Sequence, residues 1–141
     1  MTAVKVSEVL TGIAEFLDGE GVGVWRPEGT YSSDEVAVTL KSLPAAPDNA
    51  VAVAAYHVGD DLVLPDVEVL LQLRFRAARG SRTAVDDLAD SAFDVLHGRH
   101  MFSAGALTVQ RARRLSVAPL GADDNGREER ADNYALILMR S

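Results

Sequence analysis

The sequence predicts an α+β fold: an antiparallel or mixed β-sheet with two α-helices packed on one face, in the order α-β-β-β-β-α-β-β. Three patterns carry that reading. From Val67 to Ala77 every second residue is apolar (Val67, Val69, Leu71, Leu73, Phe75, Ala77), the period of a strand with one buried face. At Thr83 the period changes, and Val85, Leu88, Ala89, Ala92, Val95 and Leu96 recur at helical spacing. The same spacing links Val6, Val9, Leu10, Ile13, Phe16 and Leu17 near the start of the chain. At ~3.3 Å per residue the alternating strand spans roughly 36 Å, so it belongs at the centre of the sheet or projects beyond it.

The remaining elements follow in order. Gly19, Gly21 and Gly23 stop the first helix. They follow a helix and open a strand, the reverse of a phosphate-binding loop, so they read as a helix stop and a tight turn. Val22 to Trp25 is a short strand, Arg26-Pro27-Glu28-Gly29 a turn, and Glu35 to Lys41 a second short strand through Val36, Val38 and Leu40. The two prolines of Pro44-Ala45-Ala46-Pro47-Asp48-Asn49 require a loop. Ala50 to Val58 is a continuous apolar run that fits a strand covered on both sides. A loop at Gly59-Asp60-Asp61 leads through Leu62 to Pro65 into the central strand.

After the basic turn Arg79-Gly80-Ser81-Arg82, Thr83 with Asp86 resembles a capping box. Asp86 and Asp87 complement the positive end of the helix dipole, and Gly98 stops the helix. Arg99-His100-Met101-Phe102-Ser103 reads as a loop. Leu107 to Val117 reads as a strand in which Arg111 and Arg113 share the register of Val109 and Leu115, so the strand either outruns the core or contains a bulge. Pro119 to Ala131 reads as a polar connection turning at Asp124-Asn125-Gly126. Asn133 to Met139 closes the chain as a strand, paired with the preceding one in a long-looped hairpin.

Composition narrows the function classes. A chain of 141 residues fits one domain over residues 1–141, able to bury about two thirds of its unfolded surface. The absence of cysteine excludes disulfides, thiolate metal sites and cysteine nucleophiles, and fits a reducing cytosol. A net charge of −7 makes the chain a poor general binder of nucleic acid or anionic membrane. No signal-like segment opens the sequence, and the longest fully apolar run, Ala50 to Tyr56, is too short to span a bilayer. A soluble protein, cytoplasmic at synthesis, is the expectation.

Catalytic constellations are scarce. His97 and His100 stand three apart, but Gly98 lies between them and no carboxylate sits at ligand spacing, so they read as surface residues. Asp123-Asp124-Asn125-Gly126 lacks the alternating ligands and distal glutamate of a calcium loop. The serines lie in no nucleophile elbow. No catalytic, cofactor or metal-binding residue is assigned.

Charge is better organised. Asp86, Asp90 and Asp94 recur every fourth residue, with Asp87 beside them, as an acidic stripe on the second helix away from its apolar face. Arg74, Arg76, Arg79 and Arg82 gather around the central turn, and Arg111, Arg113 and Arg114 on the later strand. Two readings stand side by side: two solvated faces, or a self-complementary surface in which one subunit's acidic helix meets another's arginines and closes a ring.

Four segments together resemble the tail terminator proteins of long-tailed bacteriophages. They are the helix, glycine turn and strand from Val6 to Trp25; Leu43-Pro44 to Val53, where Pro47-Asp48-Asn49-Ala50-Val51 introduces a buried strand; the central strand with its helix ending Leu96-His97-Gly98; and Pro119-Leu120-Gly121-Ala122-Asp123-Asp124-Asn125-Gly126-Arg127 followed by Asn133-Tyr134. Their order covers almost the whole chain. The resemblance implies a non-enzymatic virion subunit without cofactor, forming a homo-hexameric ring. Such a ring caps the tail tube, ends its polymerisation and joins the tail to a neck or stopper protein of the head. It also implies that DNA passes through the ring without specific binding; the net charge of −7 leads to the separate expectation that negative walls repel the passing phosphates rather than grip them. The loop residues Asp124, Asn125 and Arg127 join the charged residues above as candidate contacts with neighbouring subunits. The alternatives are another neck, head-completion or tail tube subunit, or an unrelated small cytoplasmic α+β binding module or enzyme.

Overall fold

The computed structural model describes residues 4–59 and 66–139, so the predicted approach to the central strand over 60–65 lies outside the described residues. The elements are α1 (Val6–Gly19), β1 (Val24–Trp25), β2 (Ala37–Leu40), β3 (Ala50–Val58), β4 (Asp66–Arg76), α2 (Ala84–Leu96), β5 (His100–Ala104), β6 (Leu107–Ala122) and β7 (Glu128–Met139). The strands form one sheet in the order β1-β2-β3-β4-β7-β6-β5. Its β1-β2-β3 side is parallel and the remainder antiparallel, so this is an α+β fold on a mixed sheet. The long alternating strand β4 occupies the middle.

Cross-strand register explains the core. Val51 and Val53 of β3 lie opposite Phe75 and Leu73 of β4, and Leu71, Val69 and Val67 lie opposite Tyr134, Leu136 and Leu138 of β7. Paired residues share a face, and all of these are buried. Val9, Ile13 and Leu17 of α1 and Val85, Ala89, Ala92 and Leu96 of α2 join the same cluster, so both helices cover one face. Burying each large apolar side chain here contributes roughly 1.5–3 kcal/mol. The opposite face carries a polar row: Gln72 donates to Asn133 at 3.4 Å, and Asn133 donates to Ser116 at 3.0 Å.

Helix α1 touches β1, β2 and β3 on one flank and β5 and β6 on the other, so the sheet curls around it. Gly12 permits this: a Cβ there would run into the carbonyl oxygen of Ala104 on β5. At the other end of α1, Gly21 turns the chain at φ +79°, the left-handed conformation that glycine adopts without steric cost.

Several local readings are corrected. The segment after α2 is not a loop: β5 pairs antiparallel with β6, and with only Phe102 and Ala104 buried it is too short to display a period of two. The last hairpin is not long-looped. Strands β6 and β7 continue to Ala122 and Glu128, and the chain turns over Asp123–Arg127, where Asp123 accepts the N–H groups of Asn125 and Arg127. The distal half of β6 is exposed, so it shows no alternation, and Pro119 is tolerated because that half is a sheet edge. The Thr83 side chain makes no cap: Thr83 is in the α region, and Ser81 Oγ accepts the N–H of Ala84 at 3.1 Å instead. Strand β3 is buried through Val53 but exposes Tyr56 and His57.

Candidate assembly surface

The acidic stripe of α2 is not turned wholly to solvent. Arg130, buried on the helix-facing side of β7, donates to Asp132 at 2.8 and 3.0 Å, to Asp86 at 3.0 Å and to Asp90 at 3.3 Å. Arg114 of β6 adds a second cation 3.6 Å from Asp132 and 3.8 Å from Asp90, with its guanidinium 4.1 Å from the centre of the Phe93 ring. Burial by itself would lower the Arg130 pKa; its hydrogen bonds to Asp132 and Asp86 outweigh that and raise it. Burial, together with the charge of Asp132, pushes the Tyr134 phenol upward. Asp87 and Asp94 are exposed and make no ion pair among the described residues.

The other predicted site residues fall into three groups. Arg74 is a sheet-face residue donating to Glu129 at 2.9 Å. Arg76 is buried, its guanidinium donating to the carbonyls of Asp48 and Pro47 at 2.9 and 2.8 Å. Arg127 is buried beside it, reaching Asp123 at 2.9 Å, the Ala45 carbonyl at 2.9 Å and Asp48 at 3.2 Å. Burial and the charge of Arg127 lower the Arg76 pKa. These two arginines fasten the 44–49 loop to β4 and the last hairpin, so they stabilise the subunit from within. The third group is exposed: Arg79 and Arg82 in the basic turn, Arg111 and Arg113 on β6, and Asp124 and Asn125 at the hairpin turn.

A bulge between Val109 and Arg111 sets those last arginines outward, resolving the register conflict in the sequence. His97 serves structure: its Nδ1 accepts the Arg114 N–H at 3.0 Å, and its ring stacks on Phe93. Among the described residues no group of three or more His, Asp or Glu could hold a metal ion, and no helix is long and apolar enough to cross a membrane. Sequence reasoning missed Arg130 and Asp132. The signal was available: two opposite charges two residues apart on a strand share one face, here the face of the acidic helix.

The model of one family, described as bacteriophage tail terminator protein, matches residues 16–140. The chain belongs to the bacteriophage tail terminator family. It is therefore a structural component of the virion tail and not an enzyme. No curated protein matches the tail terminator chain in sequence. Among solved structures, its fold is similar to a chain of the virion of a native gene transfer agent particle. The TM-score is 0.58 at 10% identity, over 72% of this chain and 78% of that one. At that identity the likeness concerns the fold alone.

Proposed function

We propose that this chain forms a homo-hexameric ring that caps the phage tail tube, ends its polymerisation and presents the surface to which the head's neck or stopper protein binds. The observation that carries the reading is family membership over nearly the whole chain, from residue 16 to residue 140. The gene transfer agent chain of similar fold comes from a virion, which supports a place in an assembled particle.

Ring contacts draw on charges that the fold leaves exposed: Asp87 and Asp94 on α2, Arg79 and Arg82 in the basic turn, Arg111 and Arg113 on β6, and Asp124 and Asn125 at the hairpin turn. Asp86, Asp90 and Arg114 add their outer edges to this surface while paired within the subunit. With a net charge of −7 on each subunit, the ring lets DNA through without gripping its phosphates. A phage whose gene for this chain is disrupted should accumulate tails of uncontrolled length, unattached to filled heads. Tails of normal length on joined particles would overturn the proposal.

A further inference from the structure

Among the described residues four charged side chains are buried, and three of them touch an opposite charge. Arg130 and Asp132 pair with one another, and Arg127 pairs with Asp123 and Asp48. Arg76 is the exception. It is 3% exposed, yet it makes no ion pair among the described residues, and its hydrogen bonds go only to neutral acceptors, the carbonyls of Asp48 and Pro47. Every carboxylate near it is held by another arginine. Glu129, its cross-strand partner on β7, is taken by Arg74 at 2.9 Å. Asp123 and Asp48 are both taken by Arg127.

The surroundings add positive charge. Arg127 lies beside Arg76, and both reach the 44–49 loop, Arg76 through the Pro47 and Asp48 carbonyls and Arg127 through the Ala45 carbonyl and the Asp48 carboxylate. Arg79 crosses the hairpin turn at Gly126, the residue before Arg127, with its Nε 3.9 Å from where a Cβ on that glycine would stand. Each buried guanidinium also keeps one corner open. Arg76 Nη1 and Arg127 Nη2 make no hydrogen bond among the described residues, and neither is sealed from solvent.

We infer that Arg76, with Arg127 beside it, forms an oxyanion site that takes a phosphate group on those two open corners. A buried cation held only by neutral carbonyls is costly to the fold, and a bound anion offsets that cost. A phosphate presents several acceptor oxygens and more than one negative charge, so it can serve two guanidiniums at once through charge-assisted hydrogen bonds. The loop carbonyls already fix the fork of Arg76, so little side-chain freedom is lost on binding. The inference does not depend on the ring reading. Free phosphate and the phosphodiester of DNA share this chemistry.

The test is a titration of the full chain with sodium phosphate at constant ionic strength, followed by NMR of the arginine side chains. The Nε–Hε signals of Arg76 and Arg127 should move along a saturating curve, while those of the exposed Arg111 and Arg113 stay in place. At about ten times the Kd, phosphate should raise the folding constant roughly 11-fold over chloride of equal ionic strength. Arg76→Lys keeps the charge but loses the planar fork, and should weaken phosphate binding at least ~10-fold. A parallel titration uses a short DNA duplex. The same signals moving with the duplex would assign the site to a phosphodiester, and movement with free phosphate alone would assign it to a small anion. Signals that stay put in both titrations, or drift without saturation in step with Arg111 and Arg113, would overturn the site.

Discussion

Arg127, in the turn just before β7, and Arg130, within that strand, sit three residues apart and are both buried, yet they do different work. Arg130 faces the helices and is surrounded by carboxylates: Asp132, fully buried, with Asp86 and Asp90 of α2. It ties a helix to the sheet. Arg127 lies at the hairpin turn, binds Asp123, Asp48 and a backbone carbonyl, and has a second cation, Arg76, for a neighbour. It ties a loop to a turn. Removing a cation from the first site leaves surplus negative charge in a buried position. Removing one from the second relieves some repulsion and exposes only local segments.

The largest expected effect follows from that asymmetry. Arg130→Ala should lower stability by about 3 kcal/mol, the lower end for breaking a buried pair, because Arg114 remains near Asp132. Chemical denaturation measures it, and a loss below about 1 kcal/mol would mean that Asp132 is solvated rather than enclosed. Arg127→Ala should cost about 1–3 kcal/mol, the range for stranding buried hydrogen-bond partners. Amide exchange should then show the 44–49 loop and the hairpin turn losing protection while α2 keeps it. Equal loss in both regions would erase the distinction.

Acid sharpens the comparison. Hydrogen bonds from the Arg127 and Asn125 N–H groups and from the Arg127 side chain hold the Asp123 carboxyl below its usual range. A depressed carboxylate stabilises the fold above its unfolded-state pKa, and that contribution is lost as pH falls through the folded value. The turn clamp should thus be intact at neutral pH and weaken only in strong acid. Glu35, held by Arg26 and the Ser32 N–H, should titrate at about 2 rather than 4.5, as carbon-detected NMR of the carboxyl would register. Titration of Glu35 near 4.5 would mean that the Arg26 clamp is open in solution. The smallest effect belongs to Asp94→Lys: an exposed residue with no ion pair among the described residues should change stability by no more than about 0.5 kcal/mol. Its effect should instead appear as weakened ring assembly.

What was legible in the sequence was whatever has a period. The alternation through β4 and the helical spacing of α1 and α2 gave the architecture, because each element buries one face against one core. Short or one-sided pieces were not legible. Strand β5 buries two residues, and the distal half of β6 buries almost none, so neither leaves a pattern. The candidate surface was legible as a set of charges but not as pairings. Asp86 and Asp90 read as a free stripe until β7 placed Arg130 beneath them, a contact across 44 and 40 residues of sequence that helix spacing does not encode.

In the proposed function this subunit stops tube growth. The most direct measurement is the distribution of tube lengths, by electron microscopy, when the purified protein is added to its polymerising tail tube protein. Short tubes bearing a ring at one end only are expected, with mean length falling as the protein is raised. Unchanged tube lengths, or the protein distributed along the tube wall, would contradict it.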